Sequence, residues 1–118
     1  MKRKVTRLYT GPDGETHFED IELHLEFKVG VGQELKSVEP TGVTIWENDG
    51  KRDHDWHNAP RRQFLFALEG ECEMETGDGT KRKFGPGDIL LAEDTTGQGH
   101  VTRAVNKQPR KAIIVTLD

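Results

Sequence analysis

The sequence predicts an all-β fold, an antiparallel sandwich or barrel with little or no helix. Three observations predict it. No segment carries apolar residues at i, i+3, i+4 and i+7 over three turns, so the helical period is missing. About nine or ten short strand-like segments recur at roughly ten-residue spacing. Between them lie strong turn signals, among them Gly11-Pro12-Asp13-Gly14, Asn48-Asp49-Gly50, Gly77-Asp78-Gly79 and Gly85-Pro86-Gly87-Asp88.

Taken in order, the first strand covers Lys4 to Tyr9 and ends at the Gly-Pro-Asp-Gly turn. The next, Phe18 to Phe27, alternates: Ile21, Leu23, Leu25 and Phe27 share one parity, while Asp20, Glu22, His24 and Glu26 share the other. That is the pattern of a half-buried strand, apolar side inward, with His24 on the solvent side. Gly30-Val31-Gly32-Gln33 reads as a loop, and Pro40 with Gly42 breaks the segment after it. Val43 to Trp46 forms a strand closed by Asn48-Asp49-Gly50, a hairpin-type turn.

The strand Gln63 to Glu69 is apolar on both parities, with Leu65 and Ala67 on one and Phe64, Phe66 and Leu68 on the other. Such a strand needs cover on each face. The barrel interior supplies one cover; a second sheet layer or a second subunit supplies the other, and this predicts a homodimer. Glu71 to Glu75, Lys81 to Phe84, Ile89 to Glu93, Gly99 to Val105 and Lys111 to Leu117 complete the strands. Gly85-Pro86-Gly87-Asp88 suits a sharp corner, with Pro presetting φ and Gly permitting positive φ.

A length of 118 residues suits one domain spanning 1–118 with one core. Apolar and charged residues each make up 32%, and the apolar ones are clustered, which separates the chain from disordered sequences. The net charge of −4 and the shortness of the Lys81-Arg82-Lys83 run argue against nucleic-acid binding. No apolar run is long enough for a membrane span, and no signal peptide is evident, so the expectation is a cytoplasmic protein. The single cysteine, Cys72, excludes an internal disulfide; flanked by Glu71 and Glu73, it reads as a small strand residue and not as a catalytic thiolate.

The stretch Asp53 to Gly70 and the stretch Phe84 to His100 resemble the two motifs of the small single-domain cupins. His57, Ala59, Gln63 and Gly70 fall at the His, second His, Glu and final Gly positions of the first motif. The histidine and the glycine keep the family identity; alanine and glutamine replace the other two. Gly87-Asp88, the loop from Asp94 to Gly99, and His100 resemble the second motif. That loop is longer than the pattern by two residues, with Glu93 at the Pro position and Ala104 at the terminal Asn position. The resemblance covers about 43–105 and implies a double-stranded β-helix, a cupin jelly-roll barrel, in which the chain changes sheets at the Gly85-Pro86-Gly87-Asp88 corner.

Under that resemblance, strand alternation sends Gln63, Leu65 and Ala67 inward together, and likewise His100, Thr102 and Ala104. His57 inward takes Asp55 with it and turns His54 and Trp56 away. The expected pocket holds His57, Gln63 and His100, with Asp55, Asp94 or Glu93 at its rim. Two imidazoles and one amide oxygen with open positions suit a divalent metal (iron, zinc, manganese, nickel or copper). Asp94 or Glu93 would move protons on a small polar organic substrate, in an oxygenase, isomerase or lyase. Loss of the second His and the Glu together favours one rival, a metal-free epimerase or lyase using histidine as base. A pocket apolar throughout, lined by Leu65, Ala67 and the tryptophans, would favour a second, a non-catalytic ligand-binding barrel. Trp46 and Trp56 read as stacking surfaces or as rim packing. Arg61 and Arg62 read as carboxylate grips or as outward ion pairs. Asp94-Thr95-Thr96-Gly97-Gln98-Gly99 reads as a mobile oxygen-rich lid or as a plain loop whose threonines satisfy backbone groups.

Overall fold

A computed structural model describes residues 2–24, 26–28, 32–34 and 40–117. Twelve strands are defined among them: β1 Lys2–Thr10, β2 Thr16–His24, β3 Glu26–Lys28, β4 Gly32–Glu34, β5 Pro40–Asn48 and β6 His54–His57, followed by β7 Gln63–Glu69, β8 Cys72–Glu75, β9 Lys81–Phe84, β10 Ile89–Ala92, β11 His100–Ala104 and β12 Arg110–Leu117. A single 3-10 turn, Val105–Lys107, is the one helical piece among the described residues. The strands form a six-stranded sheet in the order β2-β1-β10-β7-β12-β5, a four-stranded sheet in the order β6-β11-β8-β9, and a small β3-β4 ribbon.

The turn chemistry explains the layering. Gly11–Gly14 and Gly77–Gly79 close the β1-β2 and β8-β9 hairpins, with Gly14 donating to the Gly11 carbonyl and Gly79 to that of Thr76, both at 3.0 Å. The Gly85-Pro86-Gly87-Asp88 corner carries the chain from β9 in the four-stranded sheet to β10 in the six-stranded one, as expected. The Gly85 backbone N–H donates to Asp88 Oδ2 at 2.8 Å and fixes the corner. Asn48-Asp49-Gly50 also changes sheets, so it is not a hairpin turn: β5 pairs with β12 and β6 with β11. Its Asn48 Oδ1 accepts from the Gly50 N–H at 2.6 Å, an Asx turn.

Three local expectations change. Pro40 and Gly42 lie inside β5, which the proline begins, a position where no ladder donor is lost to the sheet interior. Gly32 and Gln33 belong to β4 and not to a loop; Gly30, Val31 and Leu25 fall outside the described residues, as do the side chains of Leu23, His24 and Phe27. In β2, cross-strand pairing puts Phe18 opposite Leu8 on the core face, and Ile21 opposite Val5 on the other. The inward parity is therefore Thr16, Phe18 and Asp20. Asp20 is tolerated there because Arg82 of β9 grips both its oxygens, at 2.7 and 2.8 Å, across the edge where the sheets meet. That guanidinium holds the Asp20 carboxyl well below the usual carboxylate range.

Between the two sheets lies a core of Leu8, Cys72, Met74, Phe84, Leu90 and Ala92. Cys72 is buried and its thiol is pushed up by burial, which keeps it protonated and inert. The inner face of the large sheet is built in register: Leu8, Ala92, Gln63, Thr116 and Gly42 form one cross-strand row, and Leu90, Leu65, Ile114 and Thr44 the next. The opposite face carries matching apolar rows, Leu91-Phe64-Val115-Val43 and Ile89-Phe66-Ile113-Ile45. Val43 and Ile45 on this face are 67% and 79% exposed, and Leu68 is 50% exposed.

Candidate functional site

One end of the barrel holds a cavity of about 670 Å³ whose lining brings together His57, Gln63 and His100, the three residues expected to share a pocket. His100 begins β11 and pairs directly with His57 at the end of β6. Their ring centroids are 4.5 Å apart. Gly99 makes this pairing possible. Its φ is +78°, and a β-carbon there would lie 1.9 Å from the His57 carbonyl oxygen. Only glycine lets the loop enter β11 so close to β6.

Both imidazoles are held through Nδ1. His100 Nδ1 lies 2.5 Å from Asp94 Oδ2, and His57 Nδ1 lies 2.7 Å from the Asp55 carbonyl oxygen. A carboxylate and a carbonyl can only accept, so each Nδ1 carries a hydrogen, and in the neutral imidazole the lone pair then stands on Nε2. Burial lowers the His57 pKa, and the neighbouring His100 and His54 lower it further against the Asp55 carbonyl. The balance favours the neutral form of His57.

Asp94 is 0% exposed. Its Oδ2 also accepts from the Thr16 hydroxyl at 2.9 Å, while Oδ1 has no hydrogen-bond partner. The acid thus lies behind His100 and not at the rim. It is absent from the cavity lining and reaches the cavity only through His100. Glu93 is not in the cavity lining at all: Arg7 at 2.5 Å and Arg62 grip its two oxygens on the outer side of the sheet. Those two guanidiniums hold it below the usual carboxylate range against its partial burial. A carboxylate so clamped is a poor proton carrier, which counts against the proton-moving role expected of it.

His54 lines the cavity, contrary to strand alternation. Between the pairs His100-His57 and Thr102-His54 the register slips, with three steps along β6 against two along β11. This bulge returns His54 to the same face as His57, with ring centroids 5.7 Å apart. Asp55 and Trp56 are carried away instead, and Trp56 is exposed. Trp46 lines the cavity edge-on to His54, at 6.4 Å. Arg61 lines it as well, while Arg62 is the outward ion pair. Ala59, at the second-His position, is buried in the wall.

The Asp94–Gly99 loop is tied down. Asn58 Nδ2 donates to the carbonyls of Thr96 and Gly97 at 2.8 and 3.0 Å, and Thr10 Oγ1 donates to that of Thr96 at 2.9 Å. The Gln98 N–H reaches the Gly14 carbonyl at 3.2 Å. It is an anchored connection and not a lid. Among the described residues no three His, Cys, Asp or Glu side chains converge as a metal site. A cation there would take His57, His100 and the Gln63 amide.

No protein-family model matches the chain, and no curated protein matches it. Solved structures do. A DUF861 family protein from Thermotoga maritima is 23% identical, with a TM-score of 0.52 over 63% of this chain and 77% of that one. A Cupin 2 conserved barrel domain protein from Salinispora arenicola is 16% identical, with a TM-score of 0.51 over 80% and 81% of the two chains. A protein from Neisseria meningitidis is 18% identical, with a TM-score of 0.50 over 69% and 79%. These likenesses show the fold: the chain folds as a small cupin barrel, a double-stranded β-helix, and its regular structure among the described residues is nearly all strand.

Proposed function

We propose that this barrel binds a small organic molecule and that His100 moves a proton on it, as in an isomerase or lyase. The buried Asp94-His100 pair carries this reading. With Nδ1–H given to Asp94, Nε2 is the base that faces the ligand. When it takes a proton, the imidazolium stands one hydrogen bond from a carboxylate that is shielded from water. His57, kept neutral by burial, shares that wall of the cavity without repelling the new charge. Incubation with pooled hydroxy acids, keto acids and sugars in heavy water tests it. Deuterium should enter a carbon position with the wild-type protein, with or without chelator, and not with His100→Gln. Exchange that persists in His100→Gln refutes it.

A second reading, a divalent metal on His57, His100 and Gln63, is supported by one observation: both imidazoles are oriented through Nδ1, the arrangement that presents Nε2 to a cation. Such a metal would supply Lewis-acid polarisation of a substrate oxygen. The donor set holds no anionic ligand, so affinity would be low. Metal content of freshly purified protein, compared with His57→Ala and His100→Ala, decides it; equal and negligible metal in all three removes this reading. The apolar outer face of the six-stranded sheet supports a homodimer, because contiguous exposed apolar rows of this kind cover themselves in association.

A further inference from the structure

We infer that the cavity takes an organic carboxylate, with Arg110 as the residue that grips it. Arg110 begins β12, and its parity is that of Ala112, Ile114 and Thr116, so it points between the sheets. It is only 8% exposed. Its guanidinium carbon lies 5.1 Å from the centroid of the Trp46 ring, on the cavity wall. Among the described residues it makes no side-chain hydrogen bond and no ion pair. Arg7, Arg82 and Arg103, all far less buried, each have an acid: Arg7 has Glu93, Arg82 has Asp20 and Arg103 has Glu75.

A guanidinium carries five donors and cannot shed its charge, so an unpaired one in the interior is costly. The face of Trp46 offsets part of that cost and satisfies none of the N–H groups. The cavity itself supplies no acceptor of opposite charge, for its lining contains no Asp and no Glu. It contains Arg110, Arg61 and three histidines. A neutral imidazole both donates and accepts, and Arg61 is exposed, so the buried Arg110 guanidinium, in a lining without a carboxylate, is what selects an anion. The remaining wall, with Leu8, Leu65, Met74, Leu90 and Ile114, is apolar and accepts a hydrocarbon body. A planar carboxylate matches the guanidinium fork with two parallel hydrogen bonds. An inorganic phosphate has no hydrocarbon body to cover that apolar wall.

This deepens the reading of the cavity as a ligand site and requires no proton transfer by His100. Titration calorimetry of the full chain at pH 8, with benzoate against benzamide, hexanoate against hexanamide, and inorganic phosphate, tests it. Each carboxylate should bind at least about 10-fold more tightly than its amide, since a desolvated charge-assisted pair contributes that much or more. Arg110→Gln should abolish the preference, and Arg61→Gln and His100→Gln should preserve it. Equal binding of acid and amide by the wild type overturns the proposal, as does a preference that survives in Arg110→Gln. Should Arg110→Gln not fold, Arg61→Gln still decides: loss of the preference there assigns it to the wrong arginine. Phosphate binding as tightly as the carboxylates overturns the carboxylate assignment. A retained preference in a His100→Gln protein that exchanges no deuterium separates this binding from the chemistry proposed for His100.

Discussion

Replacing Asp94 with asparagine keeps the shape of the side chain and removes its charge, which isolates what the buried carboxylate does. Two hydrogen bonds end on one oxygen, from His100 Nδ1 at 2.5 Å and Thr16 Oγ1 at 2.9 Å, in a residue with no exposure. Net contributions of about 1.5–3 kcal/mol for a bond to a charged group fall to about 1 kcal/mol for a neutral one. The amide nitrogen would also occupy a buried position like that of Oδ1, which has no partner, so one new donor goes unsatisfied. Relief of the carboxylate's own desolvation offsets part of this. The balance is a loss of about 2 kcal/mol, which for a domain of this size lowers Tm by roughly 6–10 °C. Thermal denaturation followed by circular dichroism measures it. The cycle with Thr16→Val should be less than additive by about 0.5 kcal/mol or more, because both bonds share one acceptor atom. Imidazole nitrogen shifts should show the His100 Nδ1–H form weakened in the variant. A Tm within about 1 °C of wild type, with unchanged His100 shifts, would refute the placement of Asp94 behind His100, since a lost charge-assisted bond could not be so cheap.

Other substitutions probe the rest of the site. Since burial lowers the His57 pKa in the folded state, the unfolded chain holds more protons as pH falls below about 6.5; stability should therefore drop in that window, and His57→Gln should flatten the drop in pH-dependent denaturation. Gly99→Ala forces a β-carbon against the His57 carbonyl at positive φ, so it should destabilise by well over about 1 kcal/mol in denaturant melts and disturb the His57-His100 pair. Ile45→Glu places a charge on the outer apolar face; the wild type should sediment as a dimer at micromolar concentration and the variant as a monomer with unchanged fold, whereas a wild-type monomer removes the dimer.

Much of the site was legible in the sequence. The resemblance to the two cupin motifs put His57, Gln63 and His100 in one pocket, and alternation from Gln63 gave Leu65 the same face; all four line one cavity. The strands and the corner at Gly85–Asp88 followed from period-2 patterning and turn residues, which act over a few residues and so leave local signals. His54 was hidden because a bulge, which inserts one unpaired residue, reverses parity without any mark in the composition. Glu93 and Asp94 are neighbours of identical charge and similar length. Their opposite fates, one clamped by two arginines outside and the other buried behind an imidazole, depend on what β1, β2 and the Pro60–Gln63 approach bring to them from far along the chain.

Arg110 shows the same limit. The strand read from the sequence began at Lys111 and left Arg110 out, and even inward parity does not say whether an acid awaits it. The sequence by itself determined the β-class, the turns, the histidine-bearing segments and the two-faced apolar strand, because each rests on periodicity or on the backbone needs of glycine and proline. Which charges are paired and which are left alone was decided only by the tertiary structure. Partnership in the interior is a property of three-dimensional neighbours: an unpaired arginine beside Trp46 and a carboxylate that can only serve His100 exist when both sheets have closed over them.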